Sequence, residues 1–148
     1  MKISNLYGKK IVSEDKKKNG VIMAISCVNG AIEGYICFDE NEKEFFALSQ
    51  GVRVLKDKAT FKHLGEESKK SFRLRLGIPA FTQEGKYLGN VSDFSVIGGR
   101  LCATYIGNKK YPADNLFVSD AVIIKPPAQK MQAEIAAKDM FIGVLCGS

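Results

Sequence analysis

The sequence predicts an all-β fold of two small antiparallel barrels in tandem. The first repeat covers 1–68, the second 72–125, and a short, helix-prone tail covers 126–148. Three observations predict this. The first is an internal repeat: the stretch from Leu76 onward, moved back by 69 positions, sets Gly77 on Gly8, Gly89 on Gly20 and Gly99 on Gly30. In that register Val91 falls on Ile22, Phe94 on Ile25, Ser95 on Ser26, Ile97 on Val28 and Leu101 on Ile32. A repeat of this kind fixes architecture before any local reading does. The second is Asn29-Gly30, a strong short hairpin signal, because both central residues of a type I′ turn need positive φ. The third is the spacing of short β-branched and aromatic runs, about five or six per half, which is the pattern of small β-barrels.

Taken in order, 3–13 reads as a leading segment and a strand, with Gly8 allowing a bend. Residues 14–19 form a charged turn closed by Gly20, and the apolar run 21–28 is too short and too rich in β-branched residues for a helix. The strand returns over 31–38, turns at 39–43 and continues over 44–48. Gln50-Gly51 breaks the chain before short strands at 52–55 and 59–61. The polar residues 63–70 read as a linker, and Phe72 and Leu74 lead into the second copy. There 83–86 is a turn, 87–97 the long strand, Gly98-Gly99 the hairpin and 100–106 the return. Gly107-Asn108 turns into 109–111, residues 112–115 read as a short helical turn, and strands follow at 116–118 and 121–124. Pro126-Pro127 ends the copy, since proline cannot donate to a ladder. In the tail, Met131 and Ile135 share a helical face, and an apolar run covers 140–146.

A chain of 148 residues, 45% hydrophobic and 26% charged, has the make-up of a globular protein. A repeat of roughly 60 residues is marginal alone, so each half calls for cover from its neighbour or from a second copy, as in a homodimer. The net charge of +6 gathers in Lys9-Lys10, Lys16-Lys17-Lys18 and Lys69-Lys70, which favours anionic partners without naming one. Cys27, Cys37, Cys102 and Cys146 form no C-x-x-C pair, and His63 is the lone histidine, so the sequence predicts no metal site and no cofactor. No secretory leader is read at Met1-Lys2-Ile3-Ser4, which makes reduced thiols in a cytoplasm the expectation. The run 140–146 is far shorter than the roughly 20 residues a membrane-spanning helix needs.

The motif Gly77-Ile78-Pro79-Ala80-Phe81, then Glu84-Gly85-Lys86-Tyr87-Leu88-Gly89-Asn90-Val91-Ser92-Asp93, and Asp120-Ala121-Val122-Ile123-Ile124 resembles the PRC-barrel family. The start, from Lys2-Ile3-Ser4-Asn5-Leu6-Tyr7-Gly8 to Ser13, is similar to small bacterial PRC-barrel proteins of spore-forming Gram-positive organisms. The first copy departs from the pattern where Lys16-Lys17-Lys18-Asn19 replaces a glycine-containing turn, while Asp57 stands where Asp120 does. The resemblance implies a structural or protein-binding module, or one attached to ribosome and RNA metabolism. It supplies no catalytic residues.

The expected function is therefore a non-enzymatic adaptor that binds a protein partner through strand edges and loops. The alternative is a ribosome- or RNA-associated accessory protein whose binding would fall steeply with salt. Candidate contacts are Lys9, Lys10, Lys16, Lys17, Lys18, Lys109 and Lys110, with Phe141 and Leu145 in the tail. An enzyme is the least supported reading, because no G-x-S-x-G, H-E-x-x-H or phosphate-cradling motif occurs.

Overall fold

The computed structural model describes residues 1–118 and 120–125. The tail, with Phe141, Leu145 and the predicted helix, lies outside the described residues. Among those described there is no α-helix; a 3₁₀ turn, Ile3–Asn5, precedes fourteen strands. The chain divides into two compact units, Asn5–Arg75 and a second made of Leu76 onward together with Met1–Ser4. The first four residues thus belong with the second unit.

In the first unit, β1 (Lys10–Ser13) pairs antiparallel with β2 (Asn19–Val28) and parallel with β6 (Lys58–Phe61). β2 pairs with β3 (Ala31–Phe38), β3 with β4 (Glu44–Leu48), and β4 with β7 (Leu64–Gly65). β5 (Arg53–Val54) flanks β6, and β8 (Phe72–Leu74) pairs with the upper half of β2. Ile11, Ile22, Cys37, Ala47, Ala59 and Phe61 are buried together, with Tyr7, Tyr35, Phe45, Val52 and Val54 packed around them. Ala24, Ile36 and Phe46 form a smaller cluster covered by Phe38 and Leu48. Alternation along β3, and on β2 the bulge between Ile22 and Ala24, send residues to both faces, so both clusters draw on the same strands.

In the second unit, β9 (Pro79–Thr82) pairs with β10 (Tyr87–Ile97) and runs parallel to β14 (Ala121–Ile124). β10 pairs with β11 (Arg100–Ile106), β11 with β12 (Lys109–Pro112), and β13 (Asn115–Val118) with β14. Phe94, Val91, Ala80, Ala103 and Val122 are buried, and Phe94 meets Phe117 at 6.0 Å between ring centroids.

The ladders repeat with the sequence offset. Ala24↔Ile36, Ser26↔Gly34, Cys27↔Ile32 and Val28↔Ala31 in the first unit answer to Asp93↔Tyr105, Ser95↔Ala103, Val96↔Leu101 and Ile97↔Arg100 in the second. Both long strands are interrupted twice at matching places, Ile22/Ala24 and Ser26/Cys27 against Val91/Asp93 and Ser95/Val96. Such bulges bend a strand and raise its twist. The bend ahead of β1 repeats ahead of β9: Gly8 N–H donates to Ile22 O at 2.8 Å and Gly77 N–H to Val91 O at 2.7 Å.

Three expectations differ from the structure. The sheet is mixed and is not closed into barrels. In the first unit the end strands β5 and β7 are two residues each and offer few ladder groups to close on. The predicted helical turn at 112–115 is instead the end of β12 and the start of β13, with Asp114 N–H donating to Pro112 O at 2.7 Å. The linker 63–70 contains β7, which pairs with Phe46 and Ala47 of β4.

Candidate functional site

The β1–β2 turn and the end of β6 frame a groove of about 420 Å³ in the first unit. Its rim carries Lys17, Lys18, Lys62 and His63, with Asp15 among them and Phe61 at its base. The turn satisfies its own backbone. Ser13 Oγ donates to Asp15 Oδ1 at 2.6 Å, Lys17 N–H to the same oxygen at 3.0 Å, and Lys18 N–H to Ser13 Oγ at 3.0 Å. The Ser13 hydroxyl, then the Lys17 amide, hold the Asp15 carboxyl below its ordinary range, so it stays ionised. Lys16 adopts φ 62° at the place where Gly85, at 88°, stands in the second copy. Lys16 and Lys17 are both exposed on the turn. Glu14 N–H donates to Phe61 O at 3.0 Å and ties the turn to β6.

The lysines singled out from sequence have separate fates. Lys18 Nζ lies 3.3 Å from Asp39 Oδ2 and 4.9 Å from the Phe45 ring centroid, so its charge is committed within the fold. Hydrogen bonds from the Lys43 and Asn41 amides, with Lys18 beside them, hold the Asp39 carboxyl below its usual range. Lys9 Nζ donates to Leu55 O at 2.8 Å and Lys56 O at 3.3 Å, fastening the β5–β6 hairpin. Lys10 is exposed on a different groove, of about 400 Å³, with Asp39 and Glu40. Lys109 and Lys110 lie on β12 of the second unit. Sequence reasoning missed Lys62 and His63. The available signal was the alternation of β6, which carries on past Phe61 and leaves Lys62 exposed.

A second feature is β13, which among the described residues pairs with β14. Leu116 and Val118 are 45% and 54% exposed, while Asn115 and Phe117 alternate with them on the packed side. Asn115 Nδ2 donates to Thr104 Oγ1, and its Oδ1 is buried without a hydrogen-bond partner. Among the described residues no three His, Cys, Asp or Glu side chains are grouped as a metal site, and no helix is long and apolar enough to cross a membrane. No family model matches this chain, and no match to a curated protein is found.

Proposed function

We propose that this chain is a non-enzymatic binding protein, two tandem β-units of PRC-barrel type that recruit a protein partner along a strand edge. The observation that carries this reading is β13, at the edge of the sheet among the described residues, with two exposed aliphatic side chains in alternation, Leu116 and Val118. Unpaired ladder groups beside apolar side chains are what strand addition uses: the backbone supplies affinity and alternate side chains supply specificity. The test is a comparison of captured proteins between the parent chain and a Leu116→Asp, Val118→Asp variant. We expect the variant to keep its stability within about 0.5 kcal/mol, as exposed substitutions do, and to lose a partner that the parent retains. An identical set of partners from both chains refutes strand addition at β13.

A second reading, RNA binding, is favoured by the groove that holds Lys17, Lys62 and His63. Each phosphate neutralised on a single strand contributes about −0.7 to the slope of log K against log salt. Changing Lys17 and Lys62 together to Glu should abolish binding to single-stranded RNA at low salt. RNA affinity that ignores both salt and these substitutions excludes the groove.

A further inference from the structure

The long strand of each unit has a lower half paired with its own neighbour and an upper half that receives a short segment. On β2 the receiving stretch pairs Ile25 with Leu74, Ser26 with Arg73 and Cys27 with Phe72. On β10 the place related by 69 positions is Ser95, which bridges Lys2. The two received segments share a pattern. Each sets a basic residue opposite a fully buried serine, Arg73 opposite Ser26 and Lys2 opposite Ser95, and follows it with a fully buried aliphatic residue, Leu74 or Ile3. The connectivity is crossed. Phe72–Leu74 immediately precedes the second unit's strands but belongs to the first unit, and Met1–Ser4 precedes the first unit's strands but belongs to the second.

We propose that the upper half of β10, residues 93–96, is a peptide-acceptor site for a short segment of the form basic–aliphatic–Ser, bridged at its basic residue and wound into a 3₁₀ turn from the aliphatic one. The chain fills it with its own Lys2-Ile3-Ser4. The backbone, the ammonium and the hydroxyl of that occupant each find a partner in the second unit. Met1 N donates to Val96 O at 2.9 Å, and Val96 N–H donates to Met1 O at 2.8 Å. The Lys2 ammonium lies 4.8 Å from the Tyr105 ring centroid, a cation–π contact. Ser4 N–H donates to Asp93 Oδ1 at 3.1 Å and Ser4 Oγ to Asp93 Oδ2 at 2.5 Å. The acceptor residues Asp93 and Ser95 are buried, and Ser95 Oγ donates to the Tyr105 hydroxyl at 3.1 Å, which fixes the ring beneath Lys2. The site recognises side chains as well as backbone, and its occupant is joined to the acceptor by no ladder longer than one bridge. A segment of the same chemistry supplied in trans competes for it. This inference stands apart from β13.

The test uses the full-length chain carrying Ile3→Asp, which places a charge where a buried aliphatic belongs and releases the segment. The peptide Met-Lys-Ile-Ser-Asn-Leu is titrated and followed by backbone NMR. We expect one-to-one binding with shifts at Asp93, Ser95 and Val96, at least about tenfold tighter than to the parent chain, whose own segment competes. A peptide with Asp in place of its Ile should bind at least about tenfold more weakly. If Ile3→Asp unfolds the chain, Ser4→Ala, which removes one hydrogen bond to Asp93, is titrated instead and should bind the peptide more tightly than the parent. A folded variant that ignores the peptide, binds both peptides alike, or binds no better than the parent overturns the proposal. The Leu116→Asp, Val118→Asp changes should leave this binding intact.

Discussion

Gly34 shows how tightly single residues are specified here. A Cβ built on it would lie 2.4 Å from Phe46 Cζ and 2.6 Å from Ala47 O, and the backbone oxygen cannot step aside. Overpacking of that kind typically costs about 1–3 kcal/mol, so Gly34→Ala should lower the urea midpoint at unchanged m-value. A variant as stable as the parent would show that β3 and β4 sit further apart than described. Cys37 sets a pH limit. Burial pushes its thiol up to about 12, and burial likewise raises Tyr35. Above about pH 9 the unfolded chain gives up the Cys37 proton while the folded chain keeps it, so stability should fall steadily from about pH 9 towards 12. Denaturation at several alkaline pH values checks this, and a flat profile contradicts it. Lys16 marks the edge of what sequence reveals at this scale. Nothing about a lysine announces positive φ, and the sequence shows only that Lys16-Lys17-Lys18-Asn19 replaces a glycine-containing turn.

At the scale of elements, the long strands were plain and the short ones were not. The strands Ala31–Phe38, Glu44–Leu48, Tyr87–Ile97 and Arg100–Ile106 coincide with the residues read from alternation and turn glycines. The two-residue strand β7 was hidden in a polar stretch, because so few residues carry no period. The false helical turn at 112–115 came from reading Pro-Ala-Asp-Asn as a helix start, where Pro112 in fact closes an edge strand that needs no further donor. The stretch before β8 is pinned by Glu33 of β3, whose carboxylate accepts from Ser68 N–H at 3.0 Å and from Ser26 Oγ at 3.2 Å. Hydrogen bonds to a charged group contribute about 1.5–3 kcal/mol each. Glu33→Ala should therefore speed amide exchange at Ser68 and its neighbours and expose 66–70 to protease. Protection equal to the parent's would mean that Arg73, paired with Glu67 at 3.0 Å and Glu44 at 3.3 Å, holds the segment by itself.

For the whole molecule, the duplication was legible and the site was only partly so. Glycine spacing exposed the repeat because turns with positive φ tolerate few other residues. The basic groove escaped because it joins Lys17 to Lys62 and His63, residues far apart in sequence that β1 and β6 bring together by parallel pairing. The crossed leading segments escaped for a related reason. Lys2-Ile3 and Arg73-Leu74 look like ordinary strand starts until the ladders show which unit each completes. The surplus of +6 is also partly internal, since Lys18 and Lys9 are engaged within the fold.

Both binding readings and the acceptor site rest on one β-unit written twice in the same register. Interstrand nuclear Overhauser contacts in the full-length chain measure that register most directly. They should pair Ala24 with Ile36 and Asp93 with Tyr105, skip Met23 and Ser92 on the long strands, and skip Glu33 and Cys102 on the returning strands. Helical contacts within 21–28 or 87–97, or a second-half register displaced from the first by even one residue, would contradict the account.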